Sequence, residues 1–258
     1  MTLRALGDRR ELIESLVVRD IRARYAQSVL GIGWAILYPL LLSLIQAAVI
    51  VFILRIDTVI PVAVFTYIGN LHWTMFSNGV SGSAESLVGH MNLVAKLKFP
   101  RESLPLSSVL GRLADYGFGL LGLALLVLIF PIGVGAGVLL IVPLLAIQLV
   151  FTAGLGLILS ATNVFFRDVR HVVGLLLTLW FYLVPVLYSV ELVPEGARGL
   201  YLANPMATII ESARRATFPG HGEVQWAFVA LAALTSAATF VVGLVVFRRL
   251  EPRFAESV

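Results

Sequence analysis

The chain has 258 residues, of which 59% are hydrophobic and only 13% charged. A typical soluble domain carries about 25% charged residues, so this composition excludes an ordinary water-soluble enzyme. The mean hydropathy of +0.95 indicates a polytopic membrane protein instead. The net charge is +4, and its distribution along the chain predicts the topology.

Long stretches without Asp, Glu, Lys or Arg divide the chain into candidate membrane spans. The longest lies between Asp115 and Arg167 and contains a Pro- and Gly-rich segment at 130–135. Because a spanning helix needs about 20 apolar residues, this stretch holds two helices and a turn. In lipid the backbone must satisfy its own hydrogen bonds, which favours helices. We therefore predict an all-α integral membrane protein with six transmembrane helices, at 30–54, 60–80, 104–130, 137–163, 172–190 and 226–247.

The basic residues lie mostly on one side of these six spans. Fifteen of the 19 Lys and Arg residues fall in or beside the N-terminal segment, the second-to-third loop, the fourth-to-fifth turn and the C-terminal segment. By the positive-inside rule, both termini are expected in the cytoplasm. Basic residues beside an anionic leaflet account for the net charge through membrane lipids, without a nucleic-acid partner. The four on the other side are Arg55, Arg198, Arg214 and Arg215.

The segment at 9–24 precedes the first span and has an amphipathic helical pattern. Its apolar residues recur at helical spacing while arginines occupy other faces, which is typical of a helix lying in the cytoplasmic membrane interface. A cytoplasmic helix packed on the protein's own loops is the alternative. The apolar positions are Leu12, Ile13, Leu16, Val17 and Ile21.

The segment between the fifth and sixth spans is too apolar for a simple external loop. Asn204 followed by Pro205 is a strong helix start, because Asn caps free N–H groups and Pro tolerates the first helical position. Pro219 and Gly220 end this helix. We predict two short helices within 193–218 that re-enter the membrane from outside. Two helices lying flat on the surface are the alternative.

Motifs for catalysis and metal binding are absent from the sequence. The chain has only two lysines, Lys96 and Lys98, and neither follows a glycine, so no nucleotide-binding P-loop is present. The four histidines lack metal-ligand spacing, and the chain has no cysteine. Arg112 and Asp115 are expected to form a structural ion pair at i, i+3. We therefore expect no catalytic residue, no metal site and no cofactor in this chain.

Aromatic residues are frequent in the first, second and fifth predicted spans. Interfacial belts and packing explain many such rings, but rings that face a lumen offer flat surfaces to the C–H faces of a sugar. Gln46, Asn70, Ser77 and Asn78 are the groups expected to meet its hydroxyls. The candidate residues for a transport path are Trp34, Tyr38, Phe65, Tyr67, Trp73, Phe76, Trp180 and Tyr182.

Several short motifs together resemble the permease subunits of type-2 ABC exporters for polysaccharides, a family that includes O-antigen, capsule and teichoic-acid exporters. The first is RDIRARY at 19–25, and the last is Asn204-Pro205 followed by Glu211 and Arg214. These motifs follow one another in the order found in the family and cover nearly the whole chain. Those between the first and last are at 27–31, 34–39, 92–94, 98–101, 166–169, 185–188 and 193–194.

This resemblance implies a homodimer that forms a channel, together with two copies of a separate ABC ATPase subunit that binds ATP and Mg²⁺. The implied substrate is a glycan linked to undecaprenyl diphosphate, exported across the bacterial inner membrane. The N-terminal helix would receive the diphosphate headgroup, since Arg binds phosphate oxygens bidentately. The entrance candidates are Arg19, Arg22, Arg24 and Tyr25.

The same resemblance assigns a coupling helix and an external gate. The coupling helix, at 81–98, would dock into the ATPase subunit, and the gate would consist of the helices at 193–218. The docking candidates are Leu87, Asn92, Leu93, Lys96, Lys98, Arg167 and Asp168. The gate candidates are Tyr201, Asn204, Pro205, Glu211 and Arg214.

The preferred cargo is an O-antigen-like glycan, because residues 25–31 are closer to the O-antigen and teichoic-acid branch than to the capsule branch. The alternative is an ABC permease that exports a small lipophilic compound or drug. In both cases the chain is expected to be a transport subunit and not an enzyme.

Overall fold

The computed structural model describes residues 3–26, 30–55, 60–91 and 99–256, and no strand occurs in these ranges. A π-helix at Val49–Leu54 continues α2, and 3-10 helices occupy Ala136–Leu140, Val190–Leu192 and Glu251–Glu256. The α-helices are α1 Leu3–Tyr25, α2 Gly33–Ala48, α3 Val62–Gly89, α4 Ser103–Ile129, α5 Ile141–Phe165, α6 Val169–Phe181, α7 Glu195–Leu202, α8 Pro205–Thr217 and α9 Trp226–Leu250.

Four helical segments in the described part of the chain are long and apolar enough to cross a membrane, so the protein is a multi-pass membrane protein. The segments are Gly33–Leu54, Ser103–Ile129, Ala136–Phe165 and Trp226–Phe254. They coincide with the first, third, fourth and sixth predicted spans to within a few residues, except that the last continues past residue 247.

The second and fifth predicted spans do not combine the length and the apolar composition that a membrane-crossing helix needs, so the prediction of six spans is not confirmed. α3 has 28 residues, but polar residues such as Asn70, His72 and Asn78 reduce its hydropathy. α6 has only 13 residues and ends at Phe181, whereas the fifth span was predicted to reach residue 190. Pro185 contributes to this early end, because proline lacks an N–H and restricts the residue before it.

α3 is the central helix of the molecule. It packs against α2, α4, α5, α6 and α8, and most of its residues from Val62 to Phe76 are buried. α5 also packs extensively against α9. There, a Cβ on Gly154 would lie 2.6 Å from the backbone nitrogen of Phe240, so glycine allows the two backbones to approach closely.

α1 packs along α4, and part of its apolar face is covered by the protein itself. Leu16 is buried in a small core together with Leu87 and Leu104, and Leu12 packs against that core. This contact matches the alternative that the sequence left open, a helix packed on the protein. Val18 remains exposed on another face.

The helix that begins at Val62 does not end at residue 80 but continues to Gly89. As a result, Leu87, predicted to dock the ATPase subunit, is fully buried between α4, α5 and α9 and presents no docking surface. Arg167 and Asp168 lie exposed in the turn between α5 and α6. The docking candidates Asn92, Leu93, Lys96 and Lys98 lie outside the described residues.

Candidate transport path

An open cleft of about 600 Å³ lies between α2, α3 and α6. α3 supplies its floor, and positions 70, 74, 77, 78 and 81 share one face because they recur at intervals of three and four residues. α2 and α6 form the two walls. The polar residues of the cleft are Gln46, Asn70, Thr74, Ser77, Asn78, Ser81 and Thr178.

Hydrogen bonds fix the inner wall of the cleft. The Asn70 amide donates to Gln46 Oε1 at 2.6 Å and to Ser43 Oγ at 2.9 Å, which joins α3 to α2. Thr178 Oγ1 donates to its own helix, at the Gly174 carbonyl 2.9 Å away. These hydrogen bonds hold the side chains of Asn70, Gln46 and Thr178 in fixed positions at the lining of the cleft.

Aromatic side chains share this cleft with the polar groups. The Phe181 ring centroid lies 5.7 Å from that of Trp73 and 5.3 Å from that of Tyr182, edge to face in both cases. Tyr38 borders the cleft from α2. Together they combine flat apolar surfaces with hydrogen-bonding groups, the combination that a sugar's C–H faces and hydroxyls require.

A second cavity, of about 230 Å³, adjoins the cleft. The two share Tyr38, Thr74 and Asn78 as lining residues. The second cavity is bordered by ionic groups from α1 and α4, which makes it a charged vestibule beside a neutral polar cleft. Its other residues with polar or aromatic side chains are Arg24, Tyr25, Trp34, Arg112, Asp115 and Tyr116.

Asp115 organises this vestibule. Its carboxylate accepts hydrogen bonds from Arg24 and from the Tyr25 hydroxyl, and the predicted ion pair with Arg112 forms, with Nη1 and Oδ2 3.4 Å apart. Burial and the hydrogen bond to Asp115 raise the pKa of Tyr25 to about 12, so its hydroxyl stays a donor at neutral pH. Arg24 Nη2 also donates to the Gly111 carbonyl at 2.8 Å.

The structure separates the predicted transport-path residues into two groups. Trp34 lies in the vestibule, Trp73 and Tyr182 in the cleft, and Tyr38 in both. All four polar residues proposed to meet sugar hydroxyls, Gln46, Asn70, Ser77 and Asn78, border the cleft.

The remaining predicted path residues pack inside the protein and face neither cavity. Phe65, Tyr67 and Phe76 are fully buried. The Tyr67 hydroxyl donates to the Gly119 carbonyl at 2.7 Å, and Phe76 stacks on Phe151. Trp180 contacts both of those stacked rings. For Phe65, Tyr67 and Phe76 the prediction of a path-lining role is therefore corrected, because α3 is enclosed by other helices on most of its faces. For Trp180 it is corrected because this half-buried ring lines a separate apolar groove and not the cleft or the vestibule.

Only two of the four entrance candidates lie in the vestibule, Arg24 and Tyr25. Arg19 instead contacts His90 at the end of α3, with 2.7 Å between Nη2 and Nε2. Arg22 is exposed and lies outside both cavities. Sequence reasoning missed Thr178, whose signal was a small hydroxyl residue one turn after Gly174 in an apolar helix.

Two short helices, α7 and α8, lie where the external gate was predicted. Asn204 caps α8 by accepting a hydrogen bond from the Met206 N–H at 3.1 Å, and Pro205 is at the first helical position, as predicted. The Tyr201 hydroxyl donates to that of Tyr188 at 3.2 Å, which joins α7 to the segment after α6. Their re-entry into the membrane and their role as a gate remain predictions.

Arg214 is fully buried and joins α8 to two other parts of the chain. Its Nη2 donates to the carbonyls of Phe65, at 2.9 Å, and Val186, at 3.1 Å, and its guanidinium carbon lies 3.5 Å from the centroid of the Phe65 ring. Glu211 lies 3.6 Å away. Burial lowers the pKa of Arg214 to about 10, against the opposing effect of Glu211, so it remains charged at neutral pH.

Comparison with known proteins identifies the family of this chain. The sequence model of the ABC-2 type transporter family matches residues 11–218. The chain is 34% identical to the O-antigen export system permease protein RfbA of Myxococcus xanthus, with 99% of this chain and 98% of that protein covered. A Klebsiella pneumoniae protein of the same name is 31% identical over 97% of this chain and 96% of its own length. The polysialic acid transport protein KpsM of Escherichia coli is 25% identical over 95% of each chain. The chain therefore belongs to the ABC-2 type transporter family of membrane proteins.

Proposed function

We propose that this chain is the permease subunit of an ABC exporter that moves an O-antigen-like, lipid-linked polysaccharide out of the cytoplasm. The observation that carries the proposal is the cleft between α2, α3 and α6, in which hydroxyl and amide groups alternate with aromatic rings. The names of the relatives support a polysaccharide as cargo, and a small lipophilic cargo would not need so polar a path.

The vestibule is the proposed entrance for the headgroup. Arg24 and Arg112 supply two guanidinium groups, which suit the oxygens of a diphosphate. Trp34 and Tyr38 lie between this charged site and the neutral cleft. The glycan would follow its headgroup from the vestibule into the cleft, and both termini would lie on the vestibule side, in the cytoplasm.

We propose that a second copy of the chain closes the open side of the cleft. Asn78 and Thr178 are exposed in the single chain, and a polar group such as the Asn78 amide costs about 2 kcal/mol or more where it faces hydrocarbon without a partner. A homodimer that brings two clefts together would replace lipid with a water-filled path. Family membership implies an ABC transporter system with an ATPase partner, and we propose two ATPase copies, docked near the α5–α6 turn and residues 92–98.

Complementation of an export-deficient strain tests this function. Asn78→Leu and Thr178→Val remove polar groups from the cleft with little change in volume, and Tyr38→Ala removes a ring. We expect each variant to lower the amount of surface polysaccharide, measured on gels, by about tenfold. Leu128→Ala, on the outer face of α4, is the control and should export normally.

The outcome also decides between cargo classes. Normal surface polysaccharide in all three cleft variants, with unchanged protein levels in the membrane, would overturn the proposal. ATP hydrolysis by the purified complex should increase with a lipid-linked glycan. An increase only with small lipophilic compounds would instead support the alternative cargo.

A further inference from the structure

An apolar groove of about 470 Å³ lies behind α6, on the opposite side from the polar cleft. Its lining is hydrophobic and comes from α3, α5 and α6, with Leu155 and Leu159 on one side and Val173, Leu176 and Leu179 on the other. Leu177 borders both the groove and the cleft. α6 is therefore a wall only one helix thick between a polar space and an apolar space.

The groove has a rigid floor and an open outer side. Trp180 forms part of its lining and is held edge-on against Phe76, with ring centroids 5.3 Å apart, and against Phe151, at 6.1 Å. Leu176 and Leu183 on its rim are exposed. Because these rim residues are apolar and α5 is long and apolar enough to cross a membrane, the groove opens toward lipid.

One end of the groove is positively charged. Arg170 lies one turn before Val173 on the same face of α6, and both Arg170 and Arg167 are exposed. Arg170 Nε donates to His171 Nε2 at 3.2 Å. Asp168 is the acidic residue of this turn, so the two arginines outnumber it. From Val173 to Trp180 the helix rises about 10 Å, most of the depth of one leaflet, which is about 15 Å.

We propose that this groove binds one acyl chain of an anionic membrane phospholipid, with its headgroup at Arg170. Apolar burial and attraction between arginine and an anionic headgroup both favour this occupant. The bound acyl chain packs against the side of α6 that faces away from the cleft, and so holds this wall of the cleft in place. The site depends on the groove and the α5–α6 turn and not on the identity of the exported cargo.

Lipid retention by the full chain tests the proposal. Leu176 and Leu175 are neighbours with similar exposure, 55% and 61%, but only Leu176 lines the groove. Leu176→Trp fills the groove, and Leu175→Trp is the matched control. Native mass spectrometry of the detergent-purified chain, titrated with phosphatidylglycerol, should show about tenfold weaker retention for Leu176→Trp alone. Equal retention by both variants would overturn the site.

A second pair of variants covers the case in which tryptophan prevents folding. Leu176→Gln keeps the volume of the side chain but places an amide in the groove, where it lacks a partner. Leu175→Gln is its control. We expect phosphatidylglycerol retention to fall for Leu176→Gln and to stay unchanged for Leu175→Gln, and the reverse order would contradict the proposal.

Two further titrations identify the lipid headgroup and the source of the acyl chain. The wild-type protein should retain phosphatidylglycerol more strongly than phosphatidylcholine, and Arg170→Gln should abolish that preference while still retaining both lipids. Equal retention of the two lipids by the wild type would overturn the role of Arg170. Displacement of phosphatidylglycerol by equimolar undecaprenyl phosphate would assign the groove to the substrate's lipid and overturn the choice of phospholipid.

Discussion

At the scale of single residues, Arg214 and Arg198 make similar bonds in different surroundings. Arg214 donates to the carbonyls of Phe65 and Val186 from a fully buried position. Arg198 donates to the carbonyls of Val193 and Glu191, but 37% of its side chain is exposed. Water therefore replaces the partners of Arg198 more readily than those of Arg214.

Arg214→Ala is expected to lower the free energy of unfolding by about 3 kcal/mol, because it leaves a buried carboxylate and two carbonyls with fewer partners. Arg198→Ala should cost only about 1 kcal/mol, since its bonds are partly replaced by water. Thermal unfolding of the purified variants in detergent measures both effects. Equal losses of stability would contradict the structural role assigned to Arg214.

His221 predicts a dependence of stability on pH. Burial lowers its pKa, and the charges of Arg214 and Arg215 act in the same direction, while Glu211, 3.9 Å from Nε2, opposes them. The unfolded histidine titrates near pH 6.5, so the unfolded state binds the proton first as the pH falls. Stability should therefore decrease below about pH 6.5. When the pH is lowered from about 7.5 to 5.5, the melting temperature of His221→Gln should fall less than that of the wild type. An identical fall in both proteins would exclude this residue as the cause.

At the scale of elements, the Asp115 carboxylate joins the C-terminal end of α1 to α4. Asp115 accepts hydrogen bonds from Arg24 and Tyr25, the last two residues of α1 with side chains in the vestibule. Asp115→Asn removes the charge but keeps the shape of the side chain. The backbone amides of α1 should then exchange hydrogen about tenfold faster, for a loss of about 1.4 kcal/mol of local stability. Asp168→Asn, in the exposed α5–α6 turn, is the control, and unchanged exchange in α1 would contradict the role of Asp115.

The sequence predicted the apolar helices well and the faces of α3 poorly. Charge-free stretches correspond to four long apolar helices because charged groups are costly in hydrocarbon. The faces of α3 were not predictable from periodicity, because helices surround it and nearly every residue from Val62 to Phe76 is buried. Phe65 and Phe76 therefore look no different in sequence from Trp73. Polar residues were better indicators of the cleft, since Ser77 and Asn78 within an apolar segment need hydrogen-bond partners or water.

At the scale of the whole molecule, the proposed path is a cleft with one open side. Its floor and two walls belong to this chain, and the open side carries exposed polar groups such as Asn78 beside exposed apolar residues of α2 such as Leu41 and Ile45. Lipid can cover the apolar residues but not the polar ones. The proposed second copy, placed across the opening, would satisfy both, because each copy would contribute the wall that the other lacks.

Single cysteines test this arrangement directly, since the chain has none of its own. Ile45→Cys is on α2 next to Gln46, which lines the cleft, and Ile45 is 63% exposed. Leu234→Cys is a control of similar exposure, 68%, on α9, which packs on α5 and α8. Under mild oxidation in membranes, Ile45→Cys should form a disulfide-linked dimer of this chain several-fold faster than Leu234→Cys. Faster crosslinking at Leu234 than at Ile45 would place the dimer contact at α9, and the cleft would then need a different partner to keep its polar groups out of lipid.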